Sequence, residues 1–243
     1  MGDTMFRTII WFTYFWIYLI FTYPALLKVK KMHKAGHKEE MEQLIFNTAR
    51  NWAQKLVKLT GSTVEVKGKE NLPEEGPFVI VSNHQGNFDI PILLGYLERP
   101  IGFISKVEVK KLPIIRDWMV YMNCVFLDRK DRRQAIKAIN EGAKNIKNGT
   151  SIVIFPEGTR SKGMDMNLFK AGSFKLAQKA EVPIVPVAIK GSFKIMEQNG
   201  NRIKPAKVTV TVLPNIQPED YLDKDLKVFA EEVHEMIQKK VSQ

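Results

Sequence analysis

The 243-residue chain has a single cysteine, Cys124, so no internal disulfide can form and a cysteine-ligated zinc or iron–sulfur centre has no support. No two glycines stand two apart, which removes the GxG fingerprint of dinucleotide binding. Gly158 and Gly163 have P-loop spacing, but Met164 and Asp165 follow where Lys and Ser or Thr are needed. Neither a GxSxG elbow nor an HExxH pair occurs, which argues against an ordinary serine hydrolase and a zincin. Internal repeats and low-complexity tracts are missing too. With 44% hydrophobic and 26% charged residues, the chain fits neither wholesale disorder nor a multi-span transporter.

Charge is present in excess and unevenly spread. The formal net charge is +11, yet residues 217–243 hold seven acids against four bases, so the positive excess lies upstream. A surplus of this sign suits a polyanion: nucleic acid, anionic lipid or an acidic protein.

The N-terminus narrows that choice. Between Arg7 and Lys28 run 20 uncharged residues, eight of them aromatic, long enough as a helix to reach across a bilayer's hydrocarbon core of about 30 Å. The rings are distributed along the segment and not gathered at its ends, a pattern that admits both spanning and in-plane insertion. Pro24-Ala25-Leu26-Leu27 offers no small-x-small cleavage site. The run 28–38 adds five lysines and no acid, suited to anionic lipid or to a solvated linker. If the segment spans, those lysines place the rest at the cytoplasmic face of the cell membrane.

From Glu39 to Leu59 apolar residues recur at helical spacing, with Gly61 as the stop, so residues 1–60 read as a helical, membrane-docking hairpin, with a helix packed on the main domain as the equal alternative for 39–59. Residues 61–243 alternate short β-type runs (64–68, 78–82, 101–105, 124–128, 151–155, 183–189, 207–213) with helical patterns at 89–98, 131–147, 170–180 and 219–240. Continuous apolar runs such as VIVS and IVIF suit strands covered on both faces, and the alternation predicts one α/β domain, a single sheet surrounded by helices.

Two segments carry candidate chemistry. Of four histidines, His33 and His37 lie among lysines, a poor metal site, and His234 lies in a polar helix. His84 differs, because it follows a buried strand and precedes a helix start, in Ser82-Asn83-His84-Gln85-Gly86-Asn87-Phe88-Asp89. Asp89 either caps the following helix or turns back to fix the imidazole tautomer and leave a proton acceptor. The second segment, Phe155-Pro156-Glu157-Gly158-Thr159-Arg160-Ser161, offers backbone N–H groups and bases to an anion, with Glu157 positioned to hold Arg160's fork.

Together the two segments resemble the HxxxxD and FPEGTRS blocks of the glycerolipid acyltransferase family. Phe126-Leu127-Asp128-Arg129, Ser105-Lys106 and Val182-Pro183-Ile184-Val185-Pro186-Val187 are similar to the family's intervening and closing blocks, in the same order. The family often has Ser where Gly86 stands, a departure that leaves both reactive groups in place.

The resemblance implies a mixed α/β fold and acyl transfer from a thioester, either acyl-CoA or acyl carrier protein. The implied acceptor is the sn-2 hydroxyl of 1-acylglycerol-3-phosphate (lysophosphatidate). His84 and Asp89 become the catalytic pair, and Lys106, Arg129, Glu157, Gly158, Thr159 and Arg160 the substrate-binding set. No metal, cofactor or nucleic acid is called for. Glycerol-3-phosphate or another lysophospholipid is the competing acceptor. A membrane-tethered basic binding module is the competing class.

Overall fold

The computed structural model describes residues 2–128 and 131–243. Helices α1 (Gly2–Phe21) and α2 (Tyr23–Ala35) form an almost continuous rod that ends at Gly36, whose φ of +77° favours glycine. The lysine-rich run is thus mostly helical and not an extended linker. Helix α3 (Lys38–Leu59) turns back along it, as the hairpin expectation requires.

Among the described residues seven strands follow: β1 (Thr63–Lys67), β2 (Val79–Ser82), β3 (Ile101–Lys106), β4 (Val125–Leu127), β5 (Ser151–Ile154), β6 (Ile184–Lys190) and β7 (Lys207–Val212). Interleaved are α4 (Asp89–Tyr96), α5 (Pro113–Tyr121), α6 (Arg132–Lys147), α7 (Lys175–Ala180) and α8 (Leu226–Ser242). The strands make one mixed sheet in the order β1-β7-β6-β2-β5-β3-β4, parallel throughout except for the β6–β7 pair.

Each central strand feeds two cores. In β2, Ile80 packs with α3 and α4, while Val79 and Val81 face the α6–α8 side. In β5, Val153 takes the first direction and Ile152 and Ile154 the second. Unbroken apolar runs follow from this, since helices cover both faces and neither set of side chains meets water.

Helix α3 seats Ala53, Leu56 and Val57 in the first core and approaches α4 at Gly95, where a Cβ would lie 3.2 Å from the Gln54 backbone nitrogen. Trp11 of α1 joins that core and donates its indole N–H to Leu56 O at 2.9 Å.

Helix α5 was not expected from the sequence, and two helix starts differ from the sequence reading. The pattern at 170–180 splits into a 3₁₀ turn, Ala171–Ser173, and the shorter α7. The last helix begins at Leu226 and not at 219. The acidic start signal at Pro218–Asp220 is used by a self-capped 3₁₀ turn, after which the fully buried Tyr221 bonds Val182 O at 2.7 Å. Asp225 then caps α8 by accepting from the Lys227 and Val228 nitrogens.

Candidate active site

Strands β6, β2, β5 and β3 are adjacent and parallel, so their carboxyl ends open on the same edge of the sheet. The segment 83–88 leaves β2, 155–160 leaves β5, 191–197 leaves β6, and Lys106 closes β3. Residues far apart in sequence converge there because four strand ends do.

His84 and Asp89 meet directly, with Nδ1 2.7 Å from Oδ2. Asp89 is the first residue of α4 and fully buried; its Oδ2 also accepts the Gly86 N–H at 2.9 Å, and its Oδ1 accepts the Ser192 hydroxyl. An ionised carboxylate can only accept, so a neutral imidazole in this place carries its proton on Nδ1 and leaves Nε2 as the acceptor. Nε2 has no protein partner among the described residues, and the ring stacks on Phe155 with centroids 4.1 Å apart. Of the two roles open to Asp89, side-chain helix cap or imidazole partner, the structure shows the second.

His84 lines a cavity of about 580 Å³, together with Lys106, Thr159 and Arg160. The remaining wall is largely apolar, and includes Trp11, Phe15 and Trp16 from α1 and Trp118 from α5. A volume of this size is typical of a small-molecule site, with a few polar groups set in an apolar lining.

Glu157 stands elsewhere than the sequence suggested. It is 3% exposed and accepts from the His84 nitrogen at 2.6 Å and from the Asn167 backbone and side chain at 2.8 and 2.9 Å. It therefore fixes the histidine's backbone and does not pair with Arg160. Burial pushes its carboxyl above the ordinary value, against the pull of those N–H donors.

Arg160 pairs instead with Glu197, Nη1 to Oε1 at 3.0 Å. The Gly158 N–H is spent on Phe155 O in a tight turn with φ +72°, whereas the Thr159 and Arg160 N–H groups have no acceptor among the described residues. Arg129 lies outside the described residues. Cys124 is a buried wall residue whose thiol burial pushes up to about 12, so it is no nucleophile.

Ser192 and Glu197 were missed in the sequence. Both follow β6, where Gly191 N bonds Gln85 Oε1 at 2.8 Å and Asn83 exchanges two bonds with Ile189, at 2.7 and 2.8 Å. The only available signal was polarity directly after a buried strand, too common to single them out. Among the described residues no group of His, Cys, Asp and Glu could hold a metal ion.

Residues 63–190 match the sequence family described as Acyltransferase. A 1-acyl-sn-glycerol-3-phosphate acyltransferase of Saccharomyces cerevisiae is 32% identical over 204 residues, 82% of this chain and 66% of that protein. A probable 1-acyl-sn-glycerol-3-phosphate acyltransferase of Mycoplasma genitalium is 31% identical over 187 residues, 75% of this chain and 69% of that one. The matched segment spans 66% of the Saccharomyces cerevisiae protein and 48% and 38% of 1-acyl-sn-glycerol-3-phosphate acyltransferases of Chlamydomonas reinhardtii and Brassica napus.

The crystal structure of a 1-acyl-sn-glycerophosphate acyltransferase from Thermotoga maritima superposes with a TM-score of 0.85, covering 99% of this chain and 96% of that one at 24% identity. At that identity the likeness establishes a shared fold, and the family assignment rests on the sequence match across more than half of the chain. By that match, this chain belongs to the acyltransferase family.

Proposed function

We propose that the chain transfers a fatty acyl group from a thioester to the sn-2 hydroxyl of 1-acylglycerol-3-phosphate, forming phosphatidate. The observation that carries this reading is the 2.7 Å His84–Asp89 contact beside an apolar cavity that also presents Lys106 and Arg160. Nε2 of His84 accepts the acceptor's hydroxyl proton as the oxygen attacks the thioester carbonyl. Asp89 holds the ring and stabilises the imidazolium. The tetrahedral oxyanion is met by the unengaged N–H groups of Thr159 and Arg160. On collapse the C–S bond breaks, and the departing thiolate takes the proton back from the imidazolium. No acyl-enzyme is needed. The cationic side chains of Lys106, Arg129 and Arg160 hold the acceptor's phosphate, Arg by a fork that matches its oxygens.

We assign the first two helices to the bilayer. Among the described residues one run, Thr4–Ala35, is long and apolar enough to cross a membrane. Three features favour an in-plane position for it. Arg7 bonds Thr60 O at 3.2 Å, Trp118 bonds Thr22 at 3.0 Å, and Lys30 bonds Asp117 at 2.7 Å, so the rod lies against the domain along its length. Its outer face exposes Phe6, Ile9, Ile17, Ile20 and Phe21, which suits the acyl boundary of one leaflet.

The deciding experiment measures thiol release with lysophosphatidate and, separately, acyl-CoA and acyl carrier protein. Glycerol-3-phosphate and other lysophospholipids serve as competing acceptors. His84→Ala is expected to lower kcat by about 10²–10⁴-fold with the fold retained, as checked by circular dichroism. Near-normal turnover in that variant removes the base assignment. Salt-dependent oligonucleotide binding without any thioester turnover replaces the enzyme with a basic binding module.

A further inference from the structure

Glu197 is an acid in a place that has to be explained. It lies seven residues past the end of β6, outside the matched family segment, and its side chain is 2% exposed. Oε1 accepts from Arg160 Nη1 at 3.0 Å and from the Asn87 backbone N–H at 2.8 Å. Oε2 is buried and has no hydrogen-bond partner among the described residues. Native proteins keep few such groups, because an unsatisfied buried carboxylate oxygen is costly. The volume it occupies belongs to position 86: a Cβ on Gly86 would stand 2.5 Å from Oε2 and 2.9 Å from Cδ. Any side chain at 86 would therefore force the carboxylate to move.

Two roles are open to a carboxylate on a cavity arginine. As a gate it would hold Arg160 until the substrate's anion displaced it. As a post it would stay and aim the guanidinium. The geometry favours the post. Asn87 anchors Oε1 independently of Arg160, through a backbone amide in the turn between His84 and Asp89. Arg160 lines the cavity and Glu197 does not, so the acid stands behind the arginine. Nη1 is engaged, and the other N–H donors of the fork have no protein partner among the described residues.

We propose that Glu197 is a positioning residue that presets Arg160 for a phosphate monoester and ties that fork to the His84–Asp89 turn, in a place that only glycine at position 86 leaves open. This rests on the reading of Arg160 as an acceptor-phosphate ligand. A preset fork loses less rotamer freedom when the phosphate arrives, so the contribution is to acceptor affinity.

The test uses the full chain with Glu197→Ala, Glu197→Gln, Gly86→Ala and the Gly86→Ala/Glu197→Ala double variant. KM for lysophosphatidate is expected to rise about tenfold in Glu197→Ala, with donor KM and melting temperature unchanged and kcat changed less. Glu197→Gln, which keeps an acceptor oxygen, should recover part of the loss. Gly86→Ala should reproduce the KM rise by expelling the carboxylate. The double variant should be no worse than Glu197→Ala alone. A lowered KM in Glu197→Ala would make the acid a gate and overturn the proposal, and so would fully additive effects.

Titration calorimetry with glycerol 3-phosphate needs no turnover. If the wild type fails to turn over lysophosphatidate, the proposed function falls. The post then stands or falls on whether glycerol 3-phosphate binds the wild type and weakens in Glu197→Ala. Equal binding in both, or none in the wild type, overturns it.

Discussion

At the strand ends, polar side chains are buried and partnered; along the outer face of the first two helices, apolar side chains are exposed. Ser82, Asn83, Gln85, Asp89, Glu157 and Ser192 are each less than 7% exposed, and each makes at least one hydrogen bond. On α1, Phe6 is 68% exposed, Ile20 62% and Phe21 77%. Both arrangements cost free energy in a water-soluble domain. In the first the cost is desolvation, offset by hydrogen bonds that hold His84 and Asp89 in one geometry. In the second it is hydration of apolar surface, which a bilayer removes. Where a protein places residues against their solvent preference, the arrangement points to what it binds.

Replacing the outer apolar face tests one half of that contrast. Phe6→Ser, Ile20→Ser and Phe21→Ser combined should reduce partition to anionic vesicles by at least about 100-fold, since burying each such side chain is worth about 1.5–3 kcal/mol. The melting temperature should barely move, because exposed positions usually contribute within about 0.5 kcal/mol. Vesicle cosedimentation at normal levels would detach this face from the membrane. Truncating the helix is a poorer test, as Trp11 belongs to the core and to the cavity wall.

The other half is tested by a smaller change. Ser192→Ala leaves Asp89 Oδ1 without its hydroxyl donor, and denaturant unfolding should show a loss of about 1–3 kcal/mol. With one hydrogen bond fewer the carboxylate holds the His84 ring less firmly, so kcat should fall several-fold. An unchanged kcat would mean that Ser192 packs without steadying Asp89.

The smallest effect concerns the seam between the two regions. A hydrogen bond from Lys30 holds the Asp117 carboxyl below its ordinary 3.8, and the same bond raises Lys30 above 10.5. A lowered acid contributes stability above its unfolded value, lost as pH falls through the folded one. A raised base contributes stability below its unfolded value, lost as pH rises through the folded one. Both signs leave the α2–α5 link intact between about pH 4 and 10. Protection factors of the α2 amides, that is hydrogen exchange corrected for its intrinsic pH dependence, should be constant across that range and fall below it. Asp117→Asn should show the faster exchange at neutral pH, and a variant no faster than wild type would make the bridge incidental.

Much of this was legible in the chain. Seven strands were read within two residues of their ends because each is a short apolar run bounded by turn residues, and such patterns are local. His84 and Asp89 were legible for a related reason: five residues separate them, and one turn into a helix brings them together. Glu157 was also in view, but proximity misled. It stands three residues from Arg160, and that spacing suggested a pair, whereas burial behind His84 turned it toward three N–H donors. The acidic signal at Pro218–Asp220 was real and started a turn instead of α8, because Tyr221 had to be buried before a helix could begin.

The sequence by itself determined the α/β alternation, the apolar N-terminal run, the basic surplus and the two blocks at the ends of β2 and β5, since all are written in neighbouring residues. Tertiary structure decided which acid meets which base. Ser192 reaches Asp89 across 103 positions, and Glu197 reaches Asn87 across 110 and Arg160 across 37. Those contacts exist because β6 pairs with β2 in one register, Ser82 opposite Val187. The pairing energy that sets a register is summed over two whole strands and their covering helices, so no single segment carries it.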